Sequence, residues 1–539
     1  MIAGIFKSSL SAPTLGSFVV LRLRLSTSFT PFTVTPIRQV CQSSFVQGGW
    51  TQPNNSSSAS DNTRQATKDF KDMPGPWKIP LLGITPEFIK MDPKRLIQEF
   101  AKLPQKYGKI FKIKFVPGMP EFVCLFDPED AKAVFRSEGK YPQRFPIDIW
   151  NESRTAQGKP VGLFLLNGEE WHKHRRPISK FMSVPRKVAE YHQPFNEVTT
   201  DLIEGIRRSR DNRDMLSDTT ALLQKWAFET VSVFLLGKRL GCLEEHVPPD
   251  CQEFIHQTDR FFTASQILLF GLPFHKLYAT KPYKELLDSF TRLFEISMAH
   301  IKERLDELKE EDTIDEDEPP MGVDFLQYMS KANKMPIEMI TTNAIDLMAA
   351  GVDTTSHTLL WTLYSLAMNP DAQTKLREEV AQVVGSDIVV TPTHIQCMSY
   401  MRDCIKEAMR LYAIVPNISR ILDNDIVVSG YRIPAGVCIL MPTVAAGAQA
   451  ENFPEPHKFM PERWSRDNKE PPNAFASLPF GFGARMCVGR RVAELELHIA
   501  LSQLIRTFKV EFRDDKPMDY VQNLFLNPER RFDLAFVDL

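Results

Sequence analysis

The segment Phe480-Gly481-Phe482-Gly483-Ala484-Arg485-Met486-Cys487-Val488-Gly489 holds the most reactive chemistry of this 539-residue chain. A helical pattern starts directly behind it, with Leu497, Leu501, Leu504, Ile505 and Phe508 on one face. Cys487 therefore sits on a glycine-flexed loop at a helix amino terminus. Unpaired N–H groups and the positive dipole end favour a thiolate there. Such a thiolate is a nucleophile or a metal ligand; a nucleophile wants a histidine base, which spacing alone does not locate. The flanking glycines suit close approach of a flat, bulky partner, and Arg485 is placed for an anionic edge of it.

Thiolate-ligated haem meets these requirements together. Other pairs are weaker alone. Trp171 and Arg175, one turn apart, put an N–H and a guanidinium on one helix face, a pair suited to a carboxylate. Glu407 and Arg410 are three apart and neighbours on a helix. Such pairs are usually solvated surface contacts. Arg402 and Lys406 share a face of that helix, and Arg490 and Arg491 follow the cysteine loop directly. Clustered cations attract an acidic partner.

These residues need a scaffold, and the chain reads as mainly helical with a minor β region. Pro336 to Met368 is apolar round much of its circumference, the mark of a helix buried on all sides, and would run about 50 Å. Its middle carries Ala350-Gly351-Val352-Asp353-Thr354-Thr355. Glycine weakens the helix and threonine hydroxyls bond back one turn, which predicts a local opening of the ladder; the plainer alternative is a packing groove. Phe111, Ile113 and Phe115 alternate with lysines, so a strand is predicted, with Phe122–Phe126 returning after the Pro117-Gly118 turn. Asp127-Pro128-Glu129 opens a helix. The run Glu310–Glu318 is a solvated loop. Phe261–Phe274 is too short to span a bilayer and is either core or a dip into one leaflet.

Net charge is −2, from 65 basic and 67 acidic residues, which argues against nucleic-acid binding. Eight cysteines without a CxxC pair exclude a disulfide scaffold and the usual zinc spacings. Residues 1–60 lack acids but carry Lys7, Arg22, Arg24 and Arg38 among many Ser and Thr. That is transit-peptide composition, assigned to about 1–50, with a polar linker over 51–73. One large domain follows over 74–539.

The loop Phe480–Gly489 matches Phe-x-x-Gly-x-Arg-x-Cys-x-Gly completely, and the chain from 74 on resembles the cytochromes P450. Ala350–Thr355 resembles their oxygen-activation segment, Glu407–Arg410 their Glu-x-x-Arg, and Phe459–Trp464 the element whose arginine, here Arg463, joins that pair. The resemblance is closest to the animal mitochondrial type, in its vitamin D and steroid hydroxylase branch. It implies a P450 fold and haem b held by Cys487 as axial thiolate. Phe480, Gly481, Gly489, Arg485, Trp171, Arg175 and Arg420 would line or pair with the haem, the arginines and Trp171 at its propionates. Glu407, Arg410 and Arg463 would form a buried structural cluster, while Asp353 and Thr354 would position protons for dioxygen.

The implied reaction is hydroxylation of a steroid, sterol or secosteroid-like lipid with O2. No flavin or dinucleotide fingerprint is evident, so two electrons must come from a separate donor. The resemblance names an adrenodoxin-like ferredoxin with its reductase, docking at Arg402, Lys406, Arg490 and Arg491. It also implies peripheral contact with the inner mitochondrial membrane on the matrix side. Competing readings are a xenobiotic-oxidising relative, a haem-containing lipid binder without turnover, and more remotely an isomerase or dehydratase on the same fold.

Overall fold

Helices dominate because apolar residues recur at helical spacing through most of the chain. The structure is a computed structural model that describes residues 67–78, 91–115, 119–308, 321–332 and 335–539. The leader assigned to 1–50, the Pro117-Gly118 turn and the acidic run Glu310–Glu318 lie outside the described residues. The longer helices are α1 Pro128–Arg136, α2 Asp148–Ala156, α3 Gly168–Met182, α4 His192–Ser209, α5 Thr219–Leu236, α6 Pro249–Phe270, α7 Lys281–Glu307, α8 Ile337–Ala367, α9 Pro370–Val384, α10 Ser399–Leu411 and α11 Arg490–Thr507.

A four-stranded mixed sheet forms the minor β region, from β1 Ile110–Ile113, β2 Phe122–Leu125, β3 Ile418–Ile421 and β4 Cys438–Met441, in the order β1-β2-β4-β3. β1 and β2 are the predicted antiparallel pair, with Phe111 opposite Cys124. β2 then runs parallel to β4, and β3 antiparallel to it. All four residues of β2 are buried, so this central strand is covered on both faces. Asp127 caps α1 by accepting from the Glu129 N–H at 2.9 Å, with Pro128 in the first turn. A separate hairpin pairs Tyr520–Asn523 with Phe525–Pro528 about a left-handed Leu524.

α8 is the 31-residue central helix, within one residue of the predicted limits. Its expected opening is absent: the helix is continuous through Gly351. Thr354 does bond back, Oγ1 to the Ala350 carbonyl at 2.7 Å, and Thr358 and Thr362 repeat this at 2.6 and 2.7 Å. Glycine serves packing instead. A Cβ on Gly351 would lie 3.2 Å from Val231 Cγ2, tighter than ordinary contact, so its absence lets α5 lie close. α5 is itself apolar nearly all round, closed by Asp218 at its amino end and left-handed Gly237 at its carboxyl end.

Three further expectations shift. The polar linker was expected to reach residue 73, but Lys68 bridges Tyr431 and Met73 is buried. An apolar anchor and two backbone hydrogen bonds, Lys68 N–H to Gly430 O and Arg432 N–H to Lys68 O, dock this stretch. Phe508 opens a strand and does not extend the face of α11, which ends at Thr507. The Phe261–Phe274 run divides: Phe261, Phe262 and Leu268 are core, whereas Ile267, Leu272 and Phe274 are about half exposed.

Candidate active site

The cysteine loop is closed by its own backbone. Cys487 N–H donates to the Phe480 carbonyl at 2.8 Å, and Met486 N–H to that of Gly483 at 3.1 Å. Gly481 and Gly483 take φ of 70° and 76°, a region glycine occupies without strain. At Gly483 a side chain would also collide with Glu138, its Cβ 2.7 Å from Oε2. Gly489 is the residue before α11, and the N–H groups of Gly489 and Arg490 both act on the Cys487 sulfur.

Burial raises the Cys487 thiol above its ordinary range, against those two amides and the Arg175 guanidinium. The helix terminus therefore does not hold a free thiolate by itself. A bound cation does, since coordination deprotonates a thiol outright. Cys487 nevertheless keeps exposed surface, so the sulfur retains a face that a metal can reach.

Around this loop the fold gathers four guanidiniums. Arg485 is buried, donating Nε to the Pro142 carbonyl at 2.9 Å and Nη2 to the Leu166 carbonyl at 2.7 Å and Asn167 Oδ1 at 2.5 Å. Its face lies 4.2 Å from the centroid of buried Trp171. Arg175, one turn on along α3, donates to the Met486 carbonyl at 2.7 Å. Arg420, on β3, pairs with Glu138 and donates to the Phe482 carbonyl. Arg144 completes the set, donating Nη2 to the Phe164 carbonyl at 2.8 Å.

Burial and mutual repulsion push Arg144 down to about 10 and Arg485 to about 8; burial alone takes Arg175 to about 10. Guanidiniums do not lose their proton near neutral pH. The depression therefore measures an unfavourable field that an anion would relieve. Glu138 is the carboxylate that offsets it, and burial raises even this acid. Nη1 of Arg485 is buried and has no partner among the described residues. A thiol on a metal-ready loop beside an excess of buried and half-buried guanidinium charge fits haem b, whose iron would take Cys487 and whose two propionates would take the arginines.

Glu407, Arg410 and Arg463 also come together. Arg410 donates Nε and Nη2 to Glu407 at 2.9 and 2.8 Å, and Arg463 Nε reaches Oε1 at 2.9 Å. Trp464 Nε1 and the Met460 N–H fill the remaining acceptor sites. Remaining guanidinium donors meet the carbonyls of Gly447, Pro456 and Pro454.

Asp353 faces α5, accepting from Gln224 Nε2 at 2.9 Å. Burial pushes its carboxyl above the ordinary range, opposed by His357 and the Gln224 hydrogen bond. Arg402 and Lys406 are exposed on α10, and Arg490 and Arg491 on the first turn of α11. Lys406 lies 3.9 Å over the Trp464 ring, with Arg402 and Arg490 near enough to lower its pKa further after burial has done so. Arg490 is partly neutralised by Glu494 at 2.8 Å.

Arg144, Glu138 and Gln224 escaped sequence reasoning. Each belongs to no spacing pattern, and only the excess of arginines near the cysteine loop hinted at further members.

A family model described as "Cytochrome P450" matches residues 73–536. Cytochrome P450 27C1 of Danio rerio is 35% identical over 452 residues, covering 82% of each chain. The mitochondrial 1,25-dihydroxyvitamin D(3) 24-hydroxylase of Rattus norvegicus is 32% identical over 472 residues, 87% of this chain and 90% of that one. The mitochondrial 25-hydroxyvitamin D-1 alpha hydroxylase of Mus musculus is 33% identical over 489 residues, 89% and 95% of the two.

Proposed function

This chain belongs to the cytochrome P450 family and is a haem-thiolate monooxygenase; from that premise we propose that it hydroxylates a steroid, sterol or secosteroid-like lipid inside mitochondria. The bound haem supplies activation of dioxygen by two electrons. What the chain's own residues do can be derived. Cys487 would ligate through its sulfur, with the Gly489 and Arg490 amides stabilising negative charge on it. Arg144, Arg175, Arg420 and Arg485 would hold the two propionates, and stacking on Trp171 fixes Arg485. Asp353 holds a proton at its carboxyl, oriented by Gln224, and Thr354 offers a hydroxyl on the next residue of α8.

Electrons come from a ferredoxin served by its reductase. We place its docking site on the exposed cations Arg402, Lys406, Arg490 and Arg491, because Arg490 also lends its amide to the ligating sulfur. Among the described residues no helix is long and apolar enough to cross a membrane. Peripheral contact with the inner membrane is assigned to the exposed Ile267, Leu272, Phe274 and Leu277 at the end of α6 and beyond. Residues 1–50 act as the address and the catalytic domain extends over 74–539, with the stretch from Lys68 docked on it.

The single observation that carries this reading is the cluster of four guanidiniums, with buried Arg485 Nη1 unpartnered among the described residues, around a loop cysteine that keeps an exposed face. Haem-loaded protein, reduced ferredoxin, its reductase and oxygen should convert a sterol or secosteroid panel to hydroxylated products. Turnover only on unrelated xenobiotics, or binding without oxygen-dependent product, overturns the substrate assignment.

A further inference from the structure

A cavity of about 200 Å3 lies between the amino-terminal helices, the four-stranded sheet and the carboxy-terminal hairpin. Its wall is apolar: Leu96, Phe100, Phe115, Phe122 and Leu440 contribute to it. Two polar side chains interrupt that wall, Asn417 and Gln522. Gln522 is the unusual one. Only 5% of it is exposed, and its Oε1 is buried with no hydrogen-bond partner among the described residues. Buried amide oxygens in folded proteins nearly always have a partner, because an unmade hydrogen bond forfeits the solvation lost on burial.

The position of Gln522 is fixed from several sides. Its own carbonyl accepts from Gln266 Nε2 of α6 at 2.9 Å, and two residues earlier the Tyr520 carbonyl accepts from Gln98 Nε2 at 3.0 Å. Across the hairpin Gln522 pairs with Leu526, whose N–H donates to the Ile414 carbonyl at 2.9 Å. Phe525 packs edge-on against Phe262 of α6, centroids 4.8 Å apart. The residue at the tip, Leu524, adopts φ 58°, a strained choice for a leucine that this packing enforces. The backbone that carries the amide is thus fixed, and the amide oxygen has no partner among the described residues.

We propose that Gln522 is a specificity-determining residue: its side-chain amide takes the hydroxyl group of an otherwise apolar substrate lying in this cavity. An amide oxygen accepts from an alcohol O–H, and after a flip its NH2 donates to the alcohol oxygen, so the group is matched to an alcohol and indifferent to a hydrocarbon. The site therefore selects a lipid with one isolated polar end and anchors that end at the carboxy-terminal hairpin. This inference rests on the lipid monooxygenase reading above and adds to it the polar group that reading leaves unspecified.

The test uses haem-loaded, full-length protein and optical titration of substrate binding with two matched pairs: cholesterol and cholest-5-ene, and vitamin D3 and its 3-deoxy form. Wild type should bind the alcohol of at least one pair about tenfold more tightly than its deoxy partner. Gln522→Met, which keeps length and removes the amide, should bring the two members of that pair to equal affinity, chiefly by weakening the alcohol. Gln522→Asn should restore part of the preference. Equal affinity for alcohol and deoxy ligand in wild type overturns the subsite while leaving the lipid reading intact, and needs no variant. A preference that survives in Gln522→Met also overturns it. No optical response to any of the four ligands overturns both the subsite and the lipid substrate class.

Discussion

Two arginine clusters in this molecule are built from the same side chain and do opposite things. Around Glu407, one carboxylate meets two guanidiniums, an indole N–H and a backbone N–H, and the remaining donors end on carbonyls. That cluster is closed. Around the cysteine loop stand four guanidiniums; Glu138 offsets Arg420 and Arg485, burial and neighbouring guanidiniums push Arg144 and Arg485 down, and Arg485 Nη1 has no partner among the described residues. That cluster is open, and its excess charge has a use only when an anion arrives. Saturation, more than composition, separates a structural lock from a binding site.

The comparison breaks most completely at the metal ligand. Cys487→Ser should abolish turnover and remove the red-shifted band of the carbon monoxide complex, while the haem-free fold survives; the carbon monoxide difference spectrum reads it.

Glu407→Gln should cost about 3–5 kcal/mol, because it strands buried charge. Denaturant unfolding should show that loss in haem-loaded and haem-free protein alike. Arg144→Met should act oppositely: haem-free stability should hold or improve as repulsion is relieved. Loss of haem to an acceptor protein should quicken by about tenfold or more, as expected for one charge-assisted hydrogen bond. If Arg144→Met destabilises the haem-free form as Glu407→Gln does, the distinction between open and closed clusters is wrong.

On the surface the same logic gives a weaker, salt-sensitive effect. Reversing Arg402 and Lys406 to Glu should raise the KM for ferredoxin about tenfold at low salt and flatten its ionic-strength dependence. Turnover driven by a chemical reductant should stay unchanged; a fall there would mean the patch is structural.

The smallest effect belongs to Gln224→Leu. Removing the N–H donor destabilises ionised Asp353, whose pKa burial already raises. The limb of the pH–turnover profile that reports this acid should move to higher pH. The sign for stability follows from the same shift. A carboxyl with a folded pKa above its unfolded value contributes stability at low pH and loses it as pH rises through the folded value. That loss with rising pH should be larger in the variant.

Local pattern was enough for the elements that follow one rule. The central helix came within a residue of its ends because Pro336 and Asn369-Pro370 punctuate an unbroken apolar run. The β1–β2 pair followed from alternation, and the cysteine loop from a ten-residue motif. Gly351 could be read as a weak point or as a packing groove, and only the fold decided for packing, because its partner, Val231, lies more than a hundred residues away. The Phe261–Phe274 run could not be divided into core and exposed faces until α6 was packed.

What the sequence determined by itself was the chemistry: a cysteine at a helix start, an acid and a threonine in a buried helix, and cations in pairs along helix faces. Those follow from residue identity and short-range geometry, which a linear pattern records. Tertiary structure alone decided which charges would be satisfied. Arg420 lies far along the chain from Glu138 and Arg144 yet shares one field with them, since electrostatic interaction and desolvation depend on distance in space and on burial. For the same reason only the fold could show Gln522 buried with its oxygen unmet.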